Sequence, residues 1–553
     1  MNGAQALVAL LQRMQVPFIA ALCGNGLDPL LIAADEAGLP VIDTRNEQAA
    51  AYMADAYARL TGRLGVCAVS SGVAHVNALA GVTNAHYDGA PVLLISGASS
   101  SETLGRGGFQ DLDQVALAAP ITKHAELVTE AARVPLAVRA AVGAAGGGRP
   151  GPVHLTISVD ALAGEVPDEA VERGGRLTGA ATARAAGDPA EMAHALALLA
   201  NARRPIIVAG SCVFYAQAGK ALHSFATQSA TPVVTPIWDR GVVDSEWSTY
   251  MGVVGAASGE PELLTQADLV LILGASIDYR VHYLDSPPLR RDVKVVRVQA
   301  DARHLYQGVL PDVAILGDAA TVLDHWSDMW AAGDLAPHSG WLEEAREICD
   351  RFYQRWWNDA APDPTGLMNG GDLVEALEAA LMQWEPEPVL LIDGGNIGQW
   401  AHMRLASRRY PTHWLTCGAS GVVGWGVPGA MAARLAEPNR PVVLLSGDGS
   451  LGFGLVEFES AARQGLPFVC VVADDCAWGI VATGQERRCG RRLAADLGPA
   501  DYVGVAQSLG ARGVRAETPQ ALQEAICKAI EERLPTLIQV PIACGGPADQ
   551  PDM

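Results

Sequence analysis

Short apolar runs closed by glycine recur along the chain. Ala90-Pro91 precedes the run 92–95 and then Ser96-Gly97. Arg204-Pro205 precedes 206–209 and then Gly210, and Arg440-Pro441 precedes 442–445 and then Ser446-Gly447. Each reads as a strand covered on both faces, which needs no polar alternation, ending in a glycine turn. Between them lie Ala- and Leu-rich segments of helical period, such as 189–201 and 518–532. Strands alternating with helices predict parallel sheets with helices on both faces. Three such units predict an α/β chain of three doubly wound parallel-sheet domains, over residues 1–165, 189–330 and 368–545. Residues 163–188, rich in Gly, Ala, Glu and Arg, read as a connector. So do residues 331–370, which are polar and Trp-rich with Pro337, Pro362 and Pro364. The Gly- and Pro-containing tail 545–553 reads as frayed. Leu7, Leu10, Leu11 and Met14 fall at helical spacing, and Gln12 and Arg13 break the apolar run. That segment is expected to be a helix of the first domain and not a secretory leader.

Composition adjusts this picture in three ways. At 553 residues the chain exceeds one core, which agrees with several domains. The net charge of −22 repels phosphates and anionic lipid, so the expected partners are small molecules, with no nucleic acid and no membrane. No apolar run approaches the roughly 18 residues of a membrane span. The ten cysteines form no Cys-x-x-Cys pair, and most sit in apolar runs. They are expected to be free thiols in a reducing compartment, which places the protein in the cytoplasm.

The candidate chemistry begins at Gly447-Asp448-Gly449-Ser450-Leu451-Gly452. Here a G-x-G-x-x-G follows a strand and precedes a helix, and a second strand, 467–472, leads to Asp474 and Asp475. Strand, glycine turn, helix, strand and acid is also the dinucleotide fingerprint. Asp448 argues against that reading. A carboxylate between the glycines would repel a bare pyrophosphate by roughly 4 kcal/mol at about 4 Å and an effective dielectric of about 20. A divalent cation reverses the sign, making Asp448 a hard oxygen ligand that bridges to the diphosphate. Gly449 and Ser450 can offer N–H groups at the helix start. Asp475 at the next strand's end supplies a second carboxylate. The backbone oxygen of a nearby residue, such as Ala477, and water can complete the coordination. The plainer alternative is an aspartate that only caps a turn.

The run Gly447-Asp448-Gly449, then 25 residues, then Asp475, with Trp478-Gly479 after it, resembles the thiamine diphosphate motif of the acetolactate synthase and benzaldehyde lyase superfamily. The family usually closes this motif with two asparagines, the second a metal ligand. Here both positions are aspartates, Asp474 and Asp475, so the metal site is expected to persist with altered affinity or preference. The resemblance implies thiamine diphosphate and Mg2+ as cofactors. It implies a pyrimidine-binding domain first, a central domain, and a diphosphate-binding domain last.

Thiamine chemistry also needs a glutamate at the pyrimidine ring, where it favours the tautomer that deprotonates the reactive carbon. Glu47 fits, after the strand end Val41-Ile42-Asp43 and at the start of a helix over 46–60. A structural alternative exists, since Thr44-x-x-Glu47 has the spacing of a capping box. The segment 45–59 nevertheless resembles the family's glutamate helix, as do 68–77 and 88–97 with the strands that follow. The resemblance covers nearly the whole chain and implies that Glu47 serves a cofactor held by Asp448 of another subunit, in a homodimer or homotetramer.

Phe109-Gln110 resembles the Phe-Gln of acetolactate synthases, where the glutamine faces the reacting centre, and 120–123 resembles their Pro-x-Thr-Lys, ending at Lys123. The loop Cys23-Gly24-Asn25-Gly26 corresponds to one that reaches over the thiazolium, with Asn25 the contact. Gly394 and Asn396 follow a strand over 389–392 and are expected near the diphosphate, and Val423 aligns with the apolar wedge that bends the cofactor. Residues 273–280 faintly resemble a flavin-contacting turn, so FAD stays a minor alternative for the central domain. The expected activity is a lyase or carboligase acting on a 2-oxo acid or 2-hydroxy carbonyl compound, acetolactate synthase-like, with a benzaldehyde lyase-like or 2-hydroxyacyl-CoA lyase-like reaction as the alternative.

Overall fold

In the computed structural model, residues 1–167, 184–239, 247–358, 366–405 and 414–547 are described, together with 169, 170 and 172. Three six-stranded sheets, each parallel throughout, account for the strands. The first holds β1 (Ile19–Ala21), β2 (Val41–Asp43), β3 (Gly65–Val69), β4 (Val92–Ala98), β5 (Ala125–Val128) and β6 (Val153–Ser158), in the order β2-β1-β3-β4-β6-β5. The second holds β7 (Pro205–Ala209), β8 (Val233–Pro236), β9 (Tyr250–Val254), β10 (Leu269–Leu273), β11 (Lys294–Gln299) and β12 (Val313–Leu316), in the order β12-β11-β10-β7-β8-β9. The third holds β13 (Val389–Asp393), β14 (Trp414–Thr416), β15 (Val442–Gly447), β16 (Val469–Asp474), β17 (Arg512–Arg515) and β18 (Thr536–Pro541), in the order β14-β13-β15-β16-β18-β17. The first and third sheets thus repeat one strand order. The apolar runs form these strands because helices cover both faces, and the polar side chains buried among them, such as His154, Thr156 and Gln539, are hydrogen-bonded.

Two local expectations change. The connector 331–370 contains a helix, Ser339–Asn358, that belongs to the central domain. Its Trp341 is buried and donates Nε1–H to the Pro205 carbonyl at 2.8 Å, and Arg204 pairs with its Glu344. An interrupted apolar pattern hid this helix, since its ring and charge anchors are spread along a mostly polar stretch. Thr44 caps nothing. The helix Glu47–Thr61 is capped by Asn46, whose side chain accepts from the Gln48 N–H, while the Thr44 hydroxyl donates to the Asn46 carbonyl. The Glu47 carboxylate is therefore free of the capping role. The expected helix near the N-terminus spans Gly3–Arg13. The tail residues 548–553 and much of 168–183 lie outside the described residues. All ten cysteines are free thiols, and no described helix is long and apolar enough to cross a membrane.

The first and third domains meet through the helices Glu47–Thr61 and Gly426–Ala436. At their junction Arg59 is fully buried, 3.1 Å from Asp88 and 3.6 Å from Asp55, with its guanidinium 5.6 Å from the Trp425 ring centroid. Asp88 also accepts the Ala419 N–H, and Asn84 bridges Asp55 to the Ser420 hydroxyl. Burial pushes the Asp55 carboxyl up to about 7 despite the nearby arginine. Replacing Arg59 by Met leaves two carboxyls buried without their cation, which costs about 3–5 kcal/mol. The expected readout is a clearly lower unfolding midpoint in denaturant, and an unchanged midpoint contradicts this account.

Candidate active site

The chain runs from β13 outward to β14 and returns to β15, so the strand order reverses between β13 and β15. At such a switch point the loops diverge and leave a crevice outside the carboxyl ends of the strands. The two ends lie close. A Cβ on Gly394 would sit 2.9 Å from the Gly447 nitrogen. The register pairs Asp393 with Ser446 and Gly447 with Ala473, which brings Asp448 and Asp475 side by side.

A cavity of about 220 Å³ opens here, lined by Asn396, Val423, Asp448, Gly449, Ser450, Asp475 and Ala477 among others. Asp448 and Asp475 line it together, and burial, followed by the Asp475 charge, pushes Asp448 up to about 7. Burial also raises Asp475, opposed by hydrogen bonds from the Cys544 thiol and the Ala477 N–H. Asp474 turns the other way. It accepts from Gln539 Nε2 at 2.7 Å and from the Cys476 N–H, so of the two adjacent aspartates only Asp475 faces the cavity. Trp478 closes one wall, and a Cβ on Gly449 would meet its ring at 2.8 Å. Asn396 is 8% exposed, and its amide Nδ2 has no hydrogen-bond acceptor among the described residues.

Sequence reasoning missed Asp393 as a functional residue. It is fully buried at the end of β13 and accepts the N–H groups of Gly424 and Gly426 and the Ser450 hydroxyl. Burial raises it to about 6. Asp393 thus holds the loop that presents Val423, and its place between a strand end and Gly394-Gly395 was the available signal.

The remaining predicted residues gather on the first sheet. Glu47 accepts from Asn77 Nδ2 at 3.0 Å and is not among the residues lining the Asp448 cavity. Asn25 lies at the end of β1, donating to the Ser71 hydroxyl, which donates in turn to Gln110 Oε1 at 3.3 Å. Gln110 has a φ of 56°, a left-handed conformation that is strained for a non-glycine residue, and it borders a second cavity of about 270 Å³. Gln114, also missed, is buried there. It accepts the Gly72 N–H and donates to the Gly97 carbonyl and the Thr156 hydroxyl. His75 and His154 share the Ser96 hydroxyl in the core, and burial lowers His75 to about 4, which keeps it neutral. No spacing in the sequence pairs those two histidines.

Lys123 does not reach either cavity. Its ammonium donates to the carbonyls of Gly147 and Arg149, so it clips the end of the first domain. In the central domain, Arg280 of the flavin-like turn is buried against Asp239 and Asp278, and Asp239 accepts the Ser211 N–H after β7.

Three family models match the chain in order. They are the N-terminal TPP binding domain of thiamine pyrophosphate enzymes over residues 1–117, their central domain over 192–326, and their C-terminal TPP binding domain over 393–540. An acetolactate synthase large subunit of Parasynechococcus marenigrum is 30% identical, covering 98% of this chain and 88% of the relative. The chain belongs to the thiamine pyrophosphate enzymes. A probable acetolactate synthase large subunit of Methanococcus aeolicus is 28% identical over 98% of this chain and 92% of its own length. Human 2-hydroxyacyl-CoA lyase 2 is 28% identical over 93% and 85%.

This thiamine pyrophosphate enzyme has a third-domain cavity whose donor set fits a metal-bound diphosphate. Two carboxyls are hard ligands for a divalent ion, and the buried Asn396 amide is a donor in want of an anionic acceptor. The acid pair also has a measurable signature. A carboxyl raised above its unfolded value is favoured in its acid form by the fold. Its stabilisation is complete below the ordinary aspartate range and is lost as pH rises through about 7. Metal- and cofactor-free protein should therefore melt lower at about pH 8 than at about pH 6. Asp448→Asn should remove part of that decline, and a slope unaffected by the substitution contradicts the assignment.

Proposed function

We propose that this enzyme is a Mg2+-dependent C–C bond lyase or carboligase acting on a 2-oxo acid or 2-hydroxy carbonyl compound, with acetolactate synthase-like chemistry. The observation that carries the reading is the convergence of Asp448, Asp475 and the unpartnered Asn396 amide in one cavity at the switch point of the third sheet. Thiamine diphosphate, when bound, supplies the carbon nucleophile for a carbonyl and the electron sink that follows. Asp448 and Asp475 hold the cation, Asn396 binds a diphosphate oxygen, and Val423 supports the cofactor's bend. The Asp393 bonds to Gly424 and Gly426 keep the Val423 loop in place.

Glu47 acts on the pyrimidine ring as proton-linked hydrogen-bond partner, and Asn77 orients its carboxylate. Since Glu47 does not line the Asp448 cavity of its own chain, a second copy supplies it, which makes the working unit a homodimer or a larger assembly. Gln110, held by Ser71, orients the substrate carbonyl or carboxylate from the same first-domain edge. It supports the acetolactate synthase-like reading. The names of the relatives support carboligation and 2-hydroxyacyl cleavage alike, so pyruvate and a 2-hydroxyacyl-CoA are the first substrates to compare.

Thermal shift is the direct test of the cofactor. Thiamine diphosphate with Mg2+ should raise the melting temperature, and no shift removes the reading. Glu47→Gln should lower turnover by about a hundredfold to ten-thousandfold with the melting temperature unchanged. Near-parental turnover in that variant overturns its assigned role.

A further inference from the structure

The acid pair at the ends of β15 and β16 carries a consequence for the order of binding. Resting on the cofactor reading above, we propose that Asp448 and Asp475 bind a divalent cation before, and independently of, thiamine diphosphate.

Charge is the first argument. Among the residues lining the cavity there is no lysine, arginine or histidine, so the two carboxyls face it without a basic neighbour on its wall. One divalent ion neutralises two carboxylates. The protein alone can therefore satisfy the ion's charge, and the anionic diphosphate is not needed to hold it. A site with a single carboxylate would leave one positive charge and would depend on the diphosphate.

Geometry is the second argument. The Asp475 carboxyl accepts the Ala477 N–H at 3.2 Å. Gly479 leaves the space that Asp475 Oδ2 occupies, since a Cβ there would collide with that oxygen. Asp474, the neighbouring acid, is bound by Gln539 and Cys476 and does not compete.

Asn396 supplies an independent observation. Its buried, unpartnered Nδ2 lies 3.0 Å from the same point where a Gly479 Cβ would stand. A donor there cannot ligate a cation but can take an anion. The amide therefore stands next to the Asp475 carboxyl, where a diphosphate oxygen on the acid pair's cation would find a donor.

The test uses full-length protein stripped of metal and cofactor, with Mn2+ alone as the probe, followed by electron paramagnetic resonance. The parent chain should bind one Mn2+ per chain tightly without thiamine diphosphate. Asp475→Asn should weaken that binding at least tenfold, with a smaller loss once thiamine diphosphate is present. No Mn2+ binding by the parent without cofactor, or equal affinity in parent and Asp475→Asn, overturns the proposal. If thiamine diphosphate with Mg2+ stabilises the parent while Mn2+ alone does not bind, only this inference falls. If that pair gives no stabilisation, the cofactor reading itself falls.

Discussion

A guanidinium with no water around it must keep its carboxylates, and Arg59 places that demand at the meeting of two domains. Asp55 and Asp88 come from the first domain, and Trp425 and the Ala419 N–H come from the third. Separating the domains would strip the Trp425 ring and the Ala419 and Ser420 hydrogen bonds from this cluster, so these contacts hold the helices Glu47–Thr61 and Gly426–Ala436 together. These same helices lead directly from the candidate residues, since Glu47 opens the first and the Val423 loop precedes the second. The ionic cluster therefore governs how each domain presents its edge.

The strands read at 92–95, 206–209 and 442–445 were legible because parallel strands covered on both faces are mostly apolar, and glycine marks the turns that follow, whereas Val153–Ser158 and Arg512–Arg515 carry polar residues and gave no such run. Runs such as 442–445 could be little else. The convergence of Asp448 and Asp475 was legible for a related reason, because in a parallel sheet neighbouring strands deliver their ends to one place. Asp448 and Asp475 are far apart in the chain, yet the register Gly447 with Ala473 makes them neighbours.

What stayed hidden depended on side-chain direction or on distant partners. Thr44 and Asn46 both have capping chemistry, and only the backbone decides that Asn46 is the cap. Lys123 matched a motif, but its ammonium turns to two carbonyls of its own domain. The cluster around Arg59 draws on residues 55, 84, 88, 419 and 420, and no local pattern joins them. Asp393 looked like a strand end and proved to be the acceptor that holds a cofactor-side loop.

The repeated strand order of the first and third sheets bears on how such a chain can change over generations. Each candidate half-site sits on the loops at the carboxyl edge of its own sheet, one set carrying Asn25 and Gln110, the other Asn396 and Asp448. Because the two sets stand on separate sheets, mutation at one edge need not disturb the other. Change and retention can thereby fall to separate pieces of one polypeptide, so one edge can drift while the other is inherited intact.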